Sequence, residues 1–192
     1  MSEIVLVKPR HSLGPEARAF DILKEELEKR TGLALPVCDE PPEHGGAIVL
    51  GKETTLRLDM PGVAETLAGL AEPGAEGWRI RVESTAPLRV TVCGADDRGC
   101  LFGAGWLLRK LCLTPGKLEA SDDLVNRSVT PRYGLRGHQL AYRDKQNTCP
   151  NWTAEDFDAY IRTLALFGSN AIEILPPRTD DRLFSPLFRL HP

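Results

Sequence analysis

The stretch YGLRGHQLAYR, from Tyr133 to Arg143, sets Arg136, His138 and Arg143 among Leu135, Leu140 and Tyr142. Cations on a half-apolar strand are costly, because desolvating an unpaired charge takes several kcal/mol or more. Such a strand is either an exposed edge or has polar groups that face something needing them. A guanidinium offers a rigid fork of donors that suits paired oxygens. Further on, Glu173 stands in the apolar run AIEILPP, and Asp180 and Asp181 lie in the loop PPRTDDRLFSP. The polar chemistry of the chain is thus gathered in its last third.

Other chemistries are poorly served. The formal net charge of -3 comes from mixed acidic and basic residues with no basic run, which argues against a polyanion partner. Cys38, Cys93, Cys100, Cys112 and Cys149 are widely spaced, form no C-x-x-C pair and have no clustered histidines to complete a zinc site, so buried reduced thiols are expected. Gly94 and Gly99 have the Walker spacing, but Cys100 and Leu101 stand where Lys and Ser/Thr are required, and no G-x-G-x-x-G occurs. Neither a metal nor a cofactor is expected. The opening MSEIVLVKPR has four consecutive apolar residues, too few for a signal peptide core or a membrane span, so a cytoplasmic location is expected.

These residues must be positioned by ordinary elements, and the 42% hydrophobic and 27% charged shares suit a soluble globular chain. Ile4 to Val7 reads as a strand. Gly14-Pro15 opens a helix carrying Phe20, Leu23 and Leu27 on one side, with Glu16 near its start, Lys29 and Arg30 near its end and Gly32 to stop it. Strands are expected at Ala34 to Val37 and Ala47 to Leu50, and a short helix over Val63 to Leu70. GWRIRV and LRVTVC alternate around Thr85-Ala86-Pro87 as an antiparallel hairpin with one solvated face. GADDRGCLFGAGWLLRKLCL then predicts a second helix with Leu101, Ala104, Leu108 and Leu111 in one stripe. Gly99 and Gly103 on one side would let that helix lie close to the sheet. The outcome is an α/β sandwich of two helices on a mixed sheet.

A polar link, Ser121 to Pro131, leads to a second unit. Its expected parts are a strand over Arg132 to Tyr142, a helix capped by Thr153 with Asp156, and an apolar strand at AIEILPP. The helix presents Phe157, Tyr160, Ile161, Leu164 and Gly168 on one face. By period two, Arg136, His138, Leu140 and Tyr142 share one face of the first strand, and Gln139 and Arg143 the other. Strand, helix and strand make the β-α-β crossover from which parallel sheets and (β/α)8 barrels are built.

Three pieces taken together, GADDRGCLFGAGWLLRKL, RGHQLAYR and the helix into FGSNAIEILPP, resemble the junction of an accessory domain and a catalytic barrel in glycoside hydrolases. Similarity is greatest to family 20 β-N-acetylhexosaminidases, then to family 67 α-glucuronidases. Gly99, Gly103 and Leu107 loosely follow that family's glycine-spaced accessory helix, and Arg136, Gly137, Leu140 and Arg143 match its first barrel strand, R-G-x-x-L-D-x-x-R. Ala141 replaces the motif's Asp, and the H-x-x-D of the second strand is absent, with Asn170, Glu173 and Pro176-Pro177 in its place.

The resemblance implies an α/β fold: an α+β accessory domain over residues 1–125, then a truncated start of a (β/α)8 barrel over 126–192. It implies that Arg136 sits in the barrel mouth and donates to sugar hydroxyls, with His138, Arg143, Glu173, Asp180 and Asp181 as further substrate contacts. Against these stand an ion pair of Arg136 with Asp96 or Asp97, a satisfied structural role for His138, an arginine partner for Glu173 and a solvated loop for the two aspartates. The family's catalytic Asp-Glu pair lies on a later strand, and a complete barrel takes about 250 residues. The expected function is therefore that of an N-terminal fragment of a glycosidase, inactive alone, with a carbohydrate substrate for the whole protein. The alternative is a non-catalytic module that binds carbohydrate or a partner.

Overall fold

The computed structural model describes residues 4–140 and 153–174, which fall into two compact units, one ending at Arg132 and one beginning at Tyr133. In the first, β1 (Ile4–Val7), β2 (Val37–Cys38), β3 (Gly46–Lys52), β4 (Trp78–Thr85), β5 (Leu88–Gly94) and a short β8 (Arg127–Val129) form one sheet in the order β2-β1-β3-β5-β4-β8. The pairs among β2, β1, β3 and β5 are parallel, and β4 is antiparallel to both β5 and β8. Strand β8 arises within the segment read as a polar link.

Helix α1 (Gly14–Thr31) forms as the sequence predicts: Pro15 stands in its first turn, and Gly32, at φ 68°, closes it by donating to Glu28 O. With α4 (Asp97–Leu108) it covers the face bearing Leu6, Ile48, Leu50, Ile80, Val90 and Val92. The opposite face is covered as well, by α2 (Glu53–Asp59) and α3 (Pro61–Thr66), which set Leu56, Met60, Ala64 and Leu67 against Val7, Ala47, Val49 and Cys93. The unit is therefore three-layered, and the hairpin has no solvated face along its middle. Thr91 is fully buried and Arg79 is only 4% exposed, its guanidinium hydrogen-bonded to Glu53 on α2. Sequence alternation misleads here because Arg79, the polar residue that suggests water, has a carboxylate partner on the covering helix.

Two other expectations change. The stripe through Leu111 ends early: α4 stops at Leu108, and Leu111 opens a hairpin of β6 (Leu111–Thr114) and β7 (Lys117–Ala120), turned at Gly116 with φ 75°. Thiol burial holds for Cys93 and Cys100, whereas Cys38 is half-buried and Cys112 exposed; Cys149 lies outside the described residues. Burial pushes the Cys93 thiol up to about 11, so it is an inert core group.

The ion pairs on the α2 side set an acid limit. Burial alone would raise the Glu53 carboxyl, but hydrogen bonds from Arg57 and Arg79 outweigh it and hold the group below the ordinary range. The Asp59 carboxyl is held low chiefly by the His11 N–H, 2.9 Å away. A depressed carboxyl contributes stability above its unfolded pKa and loses it as pH falls through the folded one. Urea midpoints should be flat from pH 7 to about 5 and fall below about 4. Glu53→Gln should lower the neutral midpoint and flatten that fall; an equally steep fall in the variant would exclude Glu53 as its source.

The second unit pairs β9 (Gly137–Leu140) with β10 (Ala171–Ile174) in parallel, joined through α5 (Ala154–Leu166). Thr153 caps α5 reciprocally: its hydroxyl accepts from Asp156 N, and Asp156 Oδ2 accepts from Thr153 N at 2.9 Å. The strand expected from Arg132 begins only at Gly137, and Tyr133–Arg136 is loop.

Candidate functional site

Arg136 stands just before β9, at the strand's N-terminal end. Its Nε donates to Gly168 O at 2.7 Å and its Nη1 to Tyr133 O at 2.6 Å, while its backbone N–H donates to Asn170 Oδ1. Barrel sites form at C-terminal strand ends, so Arg136 does not occupy the mouth position that the resemblance implied. Its guanidinium is drawn to the loop between α5 and β10 because that turn, with Gly168 at φ 95°, points a carbonyl at it. As for an ion pair, Asp96 accepts from Gly99 N and Glu76 N, and Asp97 lies 2.8 Å from Lys52 Nζ.

His138 meets the Tyr160 ring of α5 edge-on, with centroids 5.8 Å apart. It therefore lies on the helix-covered face of the strand pair. Ile172, its register partner, shares that face, and Glu173 falls on the other one by period two, where it is exposed. Of the sequence-derived candidates, the structure thus sends Arg136 to one end, His138 toward the helix and Glu173 to the face away from it. Arg143, Asp180 and Asp181 lie outside the described residues.

Asn170 is the residue that sequence reading undervalued. Its Nδ2 donates to Gly134 O at 2.7 Å, its Oδ1 accepts from Arg136 N at 2.9 Å and its backbone N–H donates to Arg136 O at 2.8 Å. The signal available was a Gly-Ser-Asn turn immediately before an apolar strand.

In the first unit, a groove of about 680 Å³ opens among the α1–β2 loop, the β4–β5 turn and the β6–β7 hairpin. Ile4, Leu33, Leu35, Leu88 and Leu118 line it, and it holds none of the candidate residues. At the other end of the sheet, Glu16, only 1% exposed, accepts from Lys52 N at 2.7 Å and Thr55 Oγ1 at 2.5 Å. Lys52 Nζ lies 3.6 Å from Glu16 Oε2.

No family model and no curated protein matches the chain. Solved structures do. A family GH115 4-O-methyl-α-glucuronidase with specificity for decorated arabinogalactans superposes with a TM-score of 0.61 at 12% identity, over 91% of this chain and 25% of that one. The fold is one shared with glycoside hydrolases. A GH20 β-N-acetylhexosaminidase from Streptomyces coelicolor gives 0.56 at 21% identity, over 90% of this chain and 30% of its own. The GH20 exo-β-N-acetylglucosaminidase of Vibrio harveyi gives 0.58 at 17%, over 91% and 22%. The chain spans about a quarter of the length of these structures, and the likeness is one of fold. These structures are glycoside hydrolases, the group that the sequence motifs resemble. Among the described residues, no helix is long and apolar enough to cross a membrane.

Proposed function

We propose that this chain is the accessory domain and the opening strand–helix–strand unit of a carbohydrate-active glycoside hydrolase, with the boundary at Arg132 rather than at residue 125, because β8 pairs with β4 in the first unit's sheet. The observation that supports this best is the breadth of the fold likeness, about nine-tenths of the chain against glycosidases of several families. Sugar meets the unit at the C-terminal ends of its two strands. Glu173, exposed late in β10 on the face away from α5, accepts from sugar hydroxyls. Arg143, Asp180 and Asp181, which follow the strands in sequence, are the further sugar contacts of this reading. Arg136 braces the opposite end, and His138 packs against the helix. The general acid and its partner group belong to later barrel strands.

The test is hydrolysis of aryl N-acetylhexosaminides and aryl glucuronides, first by the 192-residue chain and then by the polypeptide that continues along the same reading frame. Turnover is expected only from the longer protein. There, Glu173→Gln should lower turnover by about tenfold or more with an unchanged melting temperature, whereas Arg136→Ala should lower the melting temperature. Turnover by the short chain would overturn the assignment of the reacting groups to later strands. A longer protein inert on both substrate classes would overturn the glycosidase reading.

A further inference from the structure

We propose that Asn170 is a positioning residue: it fixes the register of β10 against β9 and thereby holds Glu173 on the face opposite α5. This rests on reading Glu173 as the sugar contact. Along a strand, side chains alternate, so a slip of one residue sends every side chain to the other face. Here such a slip would turn Glu173 toward the helix and bring Ile172 to the sugar side. The ladder itself resists this weakly, since each strand has only four residues, from Gly137↔Ala171 to Leu140↔Ile174.

The register is pinned instead from just outside the ladder. Asn170 reaches back to both sides of Leu135: its amide donates to Gly134 O while its carbonyl accepts from Arg136 N. Its own N–H completes the clamp on Arg136 O. Two side-chain bonds of opposite polarity, from one short side chain to residues two apart, fit a single alignment. Aspartate keeps the acceptor and loses the donor, and alanine loses both. The first rung reinforces the clamp: a Cβ on Gly137 would lie 3.3 Å from Ala171 Cβ, so the strands close on small residues there and a slip would replace Ala171 with Ile172.

Thiol mapping in the 192-residue chain reports the register without any sugar. Cysteine is placed singly, as Glu173→Cys or Ile172→Cys, alkylated with iodoacetamide under native conditions and read by peptide mass mapping. With Asn170 present, position 173 should react about tenfold faster than position 172. Adding Asn170→Ala should bring the ratio to about one or invert it, and Asn170→Asp should give an intermediate ratio. A ratio unchanged by Asn170→Ala would overturn the proposal. So would an equal acceleration at both positions with loss of α5 amide protection, because that describes unfolding rather than a slip. Failure of the sugar reading leaves these ratios as they are, so the two ideas fail separately.

Discussion

Replacing Lys52 with methionine should cost about 3–5 kcal/mol of stability. Lys52 ends β3, and its Nζ stands between Asp97 Oδ1 at the start of α4 and Glu16 Oε2 in the first turn of α1. The ammonium is the charge that compensates Glu16 Oε2, a buried oxygen with no hydrogen-bond donor. Hydrogen bonding to Asp97, then the charge of Glu16, holds the lysine above its ordinary pKa. Methionine fills similar volume and leaves the carboxylate in place, so the loss measures an uncompensated buried charge rather than a cavity. The second substitution decides it. Glu16→Gln keeps an acceptor for Lys52 N and Thr55 Oγ1 and removes the charge, so in the Lys52→Met background it should restore about 1–3 kcal/mol. Chemical denaturation of the four proteins closes the cycle. A double variant no more stable than Lys52→Met would show that charge burial is not the cause.

That network was hidden in the sequence, and the reason is instructive. Glu16 was legible as an acidic residue at a helix start, where the dipole favours it. Nothing in its spacing announced that Lys52 and Thr55, more than thirty residues away, would enclose it. Local signals fared best: Pro15 and Gly32 bounded α1, Thr153 with Asp156 began α5, and the turn at Thr85–Pro87 joined the right two strands. Signals that depend on what covers a strand fared worst, as with Arg79 and Thr91. The candidate site shows the same divide. Period two grouped His138 with Leu140 on one face of the first strand, but only the seat of Tyr160 against His138 tells which face the helix takes. Arg136 matched a motif position by identity, while its bonds to Gly168 O and Tyr133 O follow from a turn that the motif does not describe.

Glycine is where sequence and packing agree most closely, and it yields predictions of opposite sign. Gly99 and Gly103 face the sheet from α4. A Cβ on Gly99 would run into the backbone carbonyl of Gly77, which already accepts from Ala95 N at 2.9 Å, so neither partner can rotate away. Gly99→Ala should therefore cost about 2–3 kcal/mol, even though alanine favours a helix over glycine by about 1 kcal/mol. A Cβ on Gly103 would meet Val92 Cγ1 at 2.7 Å and Trp78 Cβ at 3.2 Å, side-chain rather than backbone atoms, so Gly103→Ala should cost less than Gly99→Ala, about 1–2 kcal/mol. Gly62, inside α3, has nothing within 4 Å of the same added atom. There the helix preference acts alone, and Gly62→Ala should raise stability by about 0.5–1 kcal/mol. Urea denaturation of the three variants ranks them. If Gly99→Ala proved no less stable than Gly62→Ala, the close seat of α4 on the sheet would be wrong, and the small-residue reading of the G-x-x-x-G spacing would go with it.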